Sequence, residues 1–568
     1  MKFFALAATL CAAAALAGCA GSAPPQSVAS TLAPVQVAAV PAPPKPKLIV
    51  AISVDQFSSE LYRHYLSRYT GGLKTLSAGI AFPIGYQSHA ATETCPGHST
   101  LLTGMHPEHT GIIANSWFDL KTGSPTYCVQ APGSSDINAR GPQNMRVTTL
   151  GDWTKAAEPG ARSFAVSGKD RAAITMGGKH ADGVYWWFDG VGFTTSEFAG
   201  PATPAVVDPA NAYNAALFAD WQKTPPTIWP APSADCAAMA KPVKFGQITL
   251  SGNVPPDLAA HVEDNSQFLM TTDFQDNLRA SPLFDQVVED FAEKLIAREH
   301  LGHGQATDVL AVSLSANDYI GHRYGNGGPE MCVQQAMLDA TLGKFMTYLQ
   351  QLDVPVMVVM TADHGATDAA EREHEHDPEA SRLDTFAFGA KLNKAVEDQL
   401  RLTYEPIVAD DPQQLYINVG NDAALKARVQ DAAIAWLKQQ PEVREVYTRA
   451  EVEAATVPPH TAPDKLTIAQ RFHESYDADR SADIAVAYAP RTSFGLPRGP
   501  GDTVAGHGSP WDHDRQVPIL FWWPGVTGDT RDAPIETVDI APTLAETAGV
   551  PTPEVDGQCV DLTPGMCR

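Results

Sequence analysis

Several short, continuously apolar segments constrain the fold of this chain more than any other feature of its sequence. Residues 48–54, 164–168, 309–314 and 356–360 are runs of apolar and often β-branched side chains. A continuous apolar run predicts a strand that is buried on both faces, as in a parallel sheet. Segments with helical apolar spacing, such as 284–300, separate these runs. We therefore expect an α/β fold with a mainly parallel central sheet and helices on both of its faces.

The balance of charge limits the partners of this chain. Among 568 residues, 65 Asp and Glu outnumber 40 Lys and Arg, which gives a formal net charge of −25. So acidic a surface argues against general binding of nucleic acid or of anionic membranes. An anionic substrate would therefore need local cations at its own binding site.

Residues 94–100, with the sequence Thr-Cys-Pro-Gly-His-Ser-Thr, predict a turn that runs into a short helix. Pro96 suits the first helical position, where no backbone N–H is needed. Thr94 then lies at or just before the N-cap, and Gly104 ends the helix. A hydroxyl at that point meets free backbone N–H groups and the positive end of the helix dipole, which favour an alkoxide or a bound phosphate. A plain N-cap threonine is the alternative interpretation of the same pattern.

Carboxylates and imidazoles occur where the predicted strands end. They are Asp55, Asp318, Asp363, His322, His364 and His507. Ligands of open α/β sheets bind at the carboxyl ends of the strands, and these donors suit two divalent ions, zinc first and manganese second. Two such ions can stabilise the entering and leaving oxygens of an in-line displacement, and a bound threonine hydroxyl becomes a nucleophile. Asn115, Lys169 and Arg171 would bind the non-bridging oxygens of a phosphoryl group.

These residues lie in motifs that resemble those of the alkaline phosphatase superfamily, most closely its threonine-nucleophile, phosphate-irrepressible bacterial alkaline phosphatases. The motifs are Val54-Asp55, Thr94-Cys95-Pro96-Gly97-His98, Gly168-Lys169-Asp170-Arg171, Asn317-Asp318-Tyr319-Ile320-Gly321-His322, Ala362-Asp363-His364-Gly365 and Gly506-His507-Gly508. The resemblance implies that one Zn²⁺ is held by Asp55, Thr94, Asp363 and His364. It implies that a second Zn²⁺ is held by Asp318, His322 and His507. It also implies that Thr94 is the nucleophile and that phosphate is bound by Asn115, Lys169 and Arg171.

The resemblance implies a metal-dependent phosphomonoester hydrolase (alkaline phosphatase) of broad specificity, which forms a phosphothreonine and releases inorganic phosphate. The alternative is a phosphodiesterase or nucleotide pyrophosphatase, which shares the metal site but lacks the Lys-x-Arg pair. Because a monoester presents one more charged oxygen than a diester, Lys169 and Arg171 favour the monoester. We expect small-molecule phosphate esters as substrates, a monomer, and no binding of nucleic acid. A surface lipoprotein with a structural metal site is the non-enzymatic alternative, but such sites tend to be rich in cysteine ligands.

Two stretches without a steady hydrophobic period interrupt the pattern of strands and helices. We interpret residues 172–282 and 370–480 as insertions near the active site of a catalytic domain that spans residues 48–550, followed by a C-terminal tail over 551–568. Six cysteines suggest disulfides in an exported protein, although they permit many pairings. Cys559 and Cys567 are the expected local pair, and the other four are Cys95, Cys128, Cys236 and Cys332.

The first residues have the form of a bacterial export signal. Lys2 precedes an apolar run over residues 3–16 that is too short to span a membrane as a mature helix. Leu16-Ala17-Gly18-Cys19 resembles the bacterial lipobox, in which the cysteine is lipidated; the alternative is an ordinary signal peptide with a chance cysteine. We expect a signal peptide over 1–18 and a lipidated, disordered tether over 19–47. The protein would then be periplasmic, with its only membrane contact a lipid anchor at Cys19 in the outer membrane.

Cys19→Ser should move the protein from the membrane fraction to the soluble fraction, because the acyl chain would hold it at the membrane. Cell fractionation with mass spectrometry of the N-terminal peptide measures this, and Cys11→Ser in the leader is the matched control. A wild-type protein that is already soluble and carries no acyl chain would show that the lipobox pattern is a coincidence.

Overall fold

The four apolar runs all form strands of one nine-stranded sheet in the computed structural model of the protein. The structure describes residues 42–567 except 135, 137, 201–202 and 256–271. The predicted signal peptide, Cys19 and the tether up to residue 41 lie outside the described residues. Over the part of the chain that is described, no helix combines the length and the apolar character needed to cross a membrane.

The strands are short and are distributed over the whole described chain. They are β1 (Leu48–Val54), β2 (Ile80–Tyr86), β3 (Ser116–Asp119), β4 (Ser124–Tyr127), β5 (Ser163–Ser167), β6 (Gly183–Phe188), β7 (Gly192–Thr194), β8 (Val243–Phe245), β9 (Ile248–Leu250), β10 (Asp308–Leu314), β11 (Val356–Thr361), β12 (Ser381–Leu383), β13 (Ile407–Val408), β14 (Gln414–Ile417), β15 (Val443–Thr448), β16 (Ile484–Tyr488), β17 (Thr492–Phe494), β18 (Gln516–Trp522) and β19 (Asp529–Thr530).

The central sheet has the strand order β19-β2-β18-β11-β1-β10-β5-β6-β7. β1 lies between β11 and β10 and is parallel to both, and β10, β5 and β6 continue the parallel set. β18 is antiparallel to β11 and to β2, and β7 is antiparallel to β6. The predicted α/β fold with a mainly parallel sheet is therefore confirmed, with antiparallel pairs toward both edges.

The two faces of this sheet explain why its middle strands are mostly apolar. All seven residues of β1 are buried. Val50 and Ile52 pack into one hydrophobic core, whereas Ile49 and Ala51 pack into a second core on the opposite face. Because neighbouring side chains of a strand point to opposite faces, a sheet covered on both sides favours apolar residues at successive positions.

Helices supply the outer layers of both cores. Pro282–Glu299 and Pro329–Gln350 contribute side chains to the first core, and Leu150–Ala157 and Ile540–Ala548 contribute to the second. The remaining α-helices of the described residues are Ser59–Tyr65, Gly72–Ser77, Thr94–Leu101, Pro107–Thr110, Asp170–Gly177, Pro204–Lys223, Ala234–Ala237, Thr272–Arg279, Ala316–Tyr324, Ala370–Glu373, Thr385–Leu400, Ala423–Leu437, Arg449–Ala454, Ile468–His473 and Asp512–Arg515.

The structure differs from the expected bounds of both insertions. Residues 183–194, inside the stretch 172–282, form β6 and β7 of the central sheet. The stretch 370–480 stops short of β16, which pairs with β14 and β15 in a separate four-stranded sheet that has a hydrophobic core of its own. Hydrophobic periodicity predicts a buried strand but does not identify its partner strands, so neither boundary was readable from the sequence.

Three disulfides join the six cysteines of the described chain. Cys559 pairs with Cys567, as expected from their short separation. The other two pairs are Cys95 with Cys128, and Cys236 with Cys332. The first of these connects the Thr94–Leu101 helix to the end of the β3–β4 hairpin.

A buried histidine joins three distant parts of the chain. His106 precedes the helix Pro107–Thr110, and its ring nitrogens lie 3.9 Å from Glu474 Oε2 and 3.5 Å from Glu536 Oε2. Burial lowers the pKa of His106, but the carboxylates of Glu474, Glu536 and Asp556 outweigh burial and raise the pKa to about 9. The charged imidazolium therefore stabilises the folded state at neutral pH.

We expect the free energy of unfolding to decrease as pH rises through about 9. A raised folded-state pKa gives stabilisation that is complete below the ordinary histidine pKa of about 6.5 and is lost as pH passes the folded value. His106→Gln should remove this contribution, on the order of 3 kcal/mol at low pH, and should flatten the pH dependence. Urea unfolding from pH 6 to pH 10 measures it, with the exposed His303→Gln as control. Equal pH slopes in wild type and His106→Gln would contradict the assignment.

Candidate active site

The helix that carries Thr94 begins earlier than the sequence predicts. Its first residue is Thr94 and its N-cap is Glu93, so Pro96 occupies the third helical position instead of the first. The first four N–H groups of a helix have no partner within the helix, so Pro96 loses no hydrogen bond at that position. Thr94 is buried, and its hydroxyl lies in the first turn at the positive end of the helix.

A glycine lets this helix pack directly against the segment that follows β11. A Cβ atom on Gly97 would lie 1.9 Å from the backbone oxygen of Asp363. One turn after Thr94, His98 Nδ1 lies 2.9 Å from the Thr94 carbonyl oxygen and 3.0 Å from Asp363 Oδ2, and its Nε2 lies 2.8 Å from Ser313 Oγ. His98 therefore connects the Thr94 helix to a carboxylate of the site. The sequence motifs assign no role to His98, although its spacing of four residues from Thr94 places both on one helix face.

The three predicted aspartates lie together at the carboxyl ends of neighbouring strands. Asp55 directly follows β1, Asp363 follows β11 by two residues, and Asp318 lies in the first turn of the helix after β10. All three side chains are almost fully buried. The parallel order β11-β1-β10 thus brings them to one edge of the sheet, as the general rule for ligand sites in such sheets predicts.

Each of the three predicted histidines is fixed by a backbone carbonyl. The Nδ1 atoms of His322, His364 and His507 lie 2.8, 3.0 and 2.8 Å from the carbonyl oxygens of Ala505, Gly365 and Thr92. A carbonyl oxygen only accepts, so each Nδ1 carries the proton and each Nε2 presents a lone pair when the ring is neutral. Outer hydrogen bonds of this kind orient metal-binding histidines.

Two overlapping groups of donor atoms could each hold a metal ion. One consists of Asp55, Asp363 and His364, and the other of Asp318, His364 and His507, with the donor atoms of each group within 4.8 Å of one another. His364 thus belongs to both donor groups, whereas the family resemblance implies that it binds only the first ion. His322, assigned to the second ion, has its Nε2 3.2 Å from Asp318 Oδ1 but is not a member of either group.

Orphaned polar atoms show that these residues fit divalent cations. Asp55 Oδ1, Asp318 Oδ1, Asp363 Oδ2 and His364 Nε2 are buried and have no hydrogen-bond partner. Burial and the Asp363 carboxylate raise the pKa of Asp55 well above its usual range, and burial lowers the pKa of His364 to about 3. A neutral imidazole lone pair that faces carboxylate oxygens is repulsive unless a cation lies between them. Oxygen and imidazole donors without thiolates suit zinc or manganese.

Two of the predicted phosphate-binding side chains contact Thr94 or the aspartates. Arg171 Nη2 lies 3.4 Å from Thr94 Oγ1. Lys169 Nζ lies 2.6 Å from Asp55 Oδ2 and 2.5 Å from Asp318 Oδ2. Burial lowers the pKa of Lys169, but these two carboxylates outweigh burial and hold it above its ordinary value, so the ammonium stays charged.

Other residues of the site had little or no signal in the sequence. Asn317 belongs to the motif that contains Asp318 and His322, but that motif assigns no role to Asn317. Its Nδ2 donates to the carbonyl oxygens of Asp55 and Gln56 at 3.2 and 3.0 Å. Gln56 has a φ of 63°, and its backbone N–H donates to Asp363 Oδ1 at 3.1 Å. Glu93, the N-cap residue, accepts a hydrogen bond from the Asn115 backbone N–H at 2.6 Å. Local sequence patterns predict neither the left-handed backbone conformation of Gln56 nor the hydrogen bond between Glu93 and the Asn115 backbone.

Comparison with known proteins places this site in a family. The family model described as "Type I phosphodiesterase / nucleotide pyrophosphatase" matches residues 49–510. The chain is 40% identical over 533 residues to alkaline phosphatase PhoK of a Sphingomonas species, with 92% of each chain covered. It is 39% identical to alkaline phosphatase PhoD of Zymomonas mobilis subsp. mobilis, over 91% of this chain and 88% of that one.

A solved structure shows the same fold. The crystal structure of wild-type alkaline phosphatase PafA superposes with a TM-score of 0.77 at 23% sequence identity, over 92% of this chain and 100% of that chain. The chain therefore belongs to the type I phosphodiesterase/nucleotide pyrophosphatase family within the alkaline phosphatase superfamily, as an alkaline phosphatase of the PhoK, PhoD and PafA kind.

Proposed function

We propose that this protein is a phosphomonoester hydrolase of broad specificity that works through a phosphothreonine at Thr94 and a two-zinc site. The observation that carries the proposal is the position of the buried Thr94 hydroxyl. It lies at the start of a helix, within 3.4 Å of the Arg171 guanidinium. His98 connects the Thr94 carbonyl to Asp363, one of the candidate metal ligands.

Seven side chains would hold the metal ions. Asp55, Thr94, Asp363 and His364 would hold one, and Asp318, His322 and His507 the other, with His364 close to both sets of donors. Divalent cations at these positions would lower the pKa of the threonine hydroxyl and neutralise charge on the phosphoryl oxygens.

In the proposed first step, Thr94 Oγ1 attacks phosphorus and the P–O bond to the leaving alcohol breaks. Oγ1 releases its proton to solvent, and the alcohol oxygen takes the bonding pair and acquires a proton from solvent. In the second step a water oxygen attacks the phosphothreonine and releases a proton. The bond between phosphorus and Oγ1 breaks, Oγ1 takes the bonding pair and a proton, and inorganic phosphate leaves. Arg171, Lys169 and Asn115 would bind the non-bridging oxygens in both steps and stabilise their charge.

The second candidate function is a phosphodiesterase or nucleotide pyrophosphatase. The family model that matches residues 49–510 carries that description. The same metal ligands would serve a diester, which has one charged non-bridging oxygen fewer than a monoester. Two cations, the buried Lys169 beside the aspartates and the partly buried Arg171 beside Thr94, support the monoester.

The proposed substrates rest on the charges around Thr94, and the proposed cellular location rests on the predicted signal peptide. Small-molecule phosphate esters suit a buried hydroxyl between cations, and the acidic surface disfavours nucleic acid. We propose that the enzyme acts as a monomer in the periplasm, on the tether that begins at Cys19.

Thr94→Ala should lose nearly all phosphomonoesterase turnover while it retains bound metal, because the other ligands of both ions remain. Thr94→Ser, which keeps a hydroxyl at this position, is the matched control and should retain measurable turnover. Steady-state assays with metal analysis measure both properties. Turnover of Thr94→Ala close to wild type would refute the nucleophile assignment.

Lys169→Ala/Arg171→Ala should lose far more monoesterase than diesterase activity. Each charge-assisted hydrogen bond contributes on the order of 1.5–3 kcal/mol. After allowance for non-additivity and for neutralisation by the metal ions, we expect a selective loss of roughly a hundredfold.

Assays on a monoester and a diester, with metal content measured in parallel, test this preference. Lys241→Ala removes an exposed lysine that pairs with exposed Glu375 and is the control. Equal loss of both activities at full metal content would mean that the pair is structural, and it would favour the phosphodiesterase.

A further inference from the structure

The β3–β4 hairpin carries Asn115 to the start of the Thr94 helix. Asn115 directly precedes β3, and β3 pairs with β4 in antiparallel register from Ser116–Tyr127 to Asp119–Ser124. Cys128 directly follows β4 and forms a disulfide with Cys95, the residue after Thr94. Both cysteines are fully buried. The disulfide therefore ties the base of the hairpin to the helix that bears the proposed nucleophile.

Asn115 is held at three separate points. Its backbone N–H donates to Glu93 Oε2 at 2.6 Å. Its backbone carbonyl accepts from the Cys128 N–H at 2.9 Å. Its side-chain Oδ1 accepts from the Cys95 N–H at 2.9 Å. Glu93 and Cys95 flank Thr94, so two of these contacts fix Asn115 directly relative to the Thr94 backbone. The third, to Cys128, does so through the disulfide to Cys95.

These contacts also settle which end of the amide faces a ligand. A backbone N–H only donates, so the Asn115 atom that contacts the Cys95 N–H must be the oxygen. The Nδ2 group is then the free end, with two protons to donate. An amide N–H₂ group beside a helix start and the Arg171 guanidinium suits an anionic oxygen.

We propose that Glu93 and the Cys95–Cys128 disulfide are positioning residues that hold the Asn115 amide so that Nδ2 donates to a phosphoryl oxygen at Thr94. The inference rests on the proposed function, since it assumes that phosphate binds at Thr94. The two cysteines contact Asn115 through their own backbone N–H groups and are joined through their sulfur atoms. Asn115, Cys95 and Cys128 thus form a closed ring of one covalent bond and two hydrogen bonds across the site.

The hairpin also contacts the proposed cation-bearing segment. Tyr127 at the end of β4 donates from its hydroxyl to Asp170 Oδ1 at 2.7 Å. Asp170 lies between Lys169 and Arg171 and accepts from the Arg171 backbone N–H on the same oxygen. The base of the hairpin therefore contacts both sides of the phosphate site, and the disulfide is the covalent part of that connection.

Removal of the disulfide should weaken phosphate binding more than it slows turnover. In the metal-loaded enzyme, Cys95→Ser/Cys128→Ser keeps both backbone N–H groups but releases the hairpin. A lost hydrogen bond to a charged group corresponds to about tenfold or more in affinity. We expect about a fivefold to tenfold rise in the inhibition constant of inorganic phosphate and in KM for a monoester, with a smaller change in kcat. Cys559→Ser/Cys567→Ser, which removes the disulfide of the C-terminal tail, is the matched control and should change neither constant.

A double-mutant cycle with Asn115→Ala separates positioning from general stabilisation. Asn115→Ala alone should raise the phosphate inhibition constant by about tenfold or more. If the disulfide acts through Asn115, its removal from the Asn115→Ala enzyme should cause no further rise. A rise of equal size in both backgrounds would overturn the inference. If the cysteine variant does not fold, Glu93→Ala replaces it in the same cycle, with the same expected and contrary results.

The double-mutant cycle also distinguishes a failure of the proposed phosphate-binding role of Asn115 from a failure of the positioning role of Glu93 and the disulfide. A normal phosphate inhibition constant in Asn115→Ala would refute the proposed role of Asn115 in binding phosphate, and this inference would fall with it. A raised constant in Asn115→Ala together with a normal constant in the folded cysteine variant and in Glu93→Ala would refute the positioning role alone.

Discussion

The burial of three aspartates at one sheet edge is the constraint on which the rest of the site depends. Asp55, Asp318 and Asp363 follow three adjacent strands and are almost fully buried. Removal of a carboxylate from water costs several kcal/mol unless cations and hydrogen bonds compensate. Lys169 supplies one cation to this group, and the orphaned oxygens of the same aspartates call for more positive charge. The proposed divalent ions would supply that charge and complete the site.

The surrounding structure keeps the donors in place for those ions. Backbone carbonyls orient the three imidazoles from the outer side. Gly97 allows the Thr94 helix to approach the Asp363 backbone more closely than any side chain would permit. His98 then connects that helix to the Asp363 carboxylate. The proposed nucleophile and the candidate metal ligands are thus parts of one packed unit, which agrees with the general need for preorganised electrostatics in catalysis.

The sequence predicts most of the sheet and a set of candidate site side chains that lie near one another in the structure, because both depend on local signals. Apolar runs mark strands buried on both faces, and polar residues at their ends mark the ligand edge. The start of the Thr94 helix was misplaced by two residues at Pro96, since proline is tolerated throughout the first turn. The membership of His364 in both donor groups and the pairing of Cys95 with Cys128 depend on long-range packing. The pairing of β16 with β14 and β15 also depends on long-range packing, and no local pattern identifies these partner strands.

The central claim is that two metal ions are bound between the aspartates and histidines of this sheet edge. Anomalous diffraction at the zinc edge from crystals of the metal-loaded enzyme tests it most directly. We expect two peaks, one at Asp55, Asp363 and His364 and the other at Asp318 and His507. A single peak, or no peak at these residues after saturation with zinc, would contradict it.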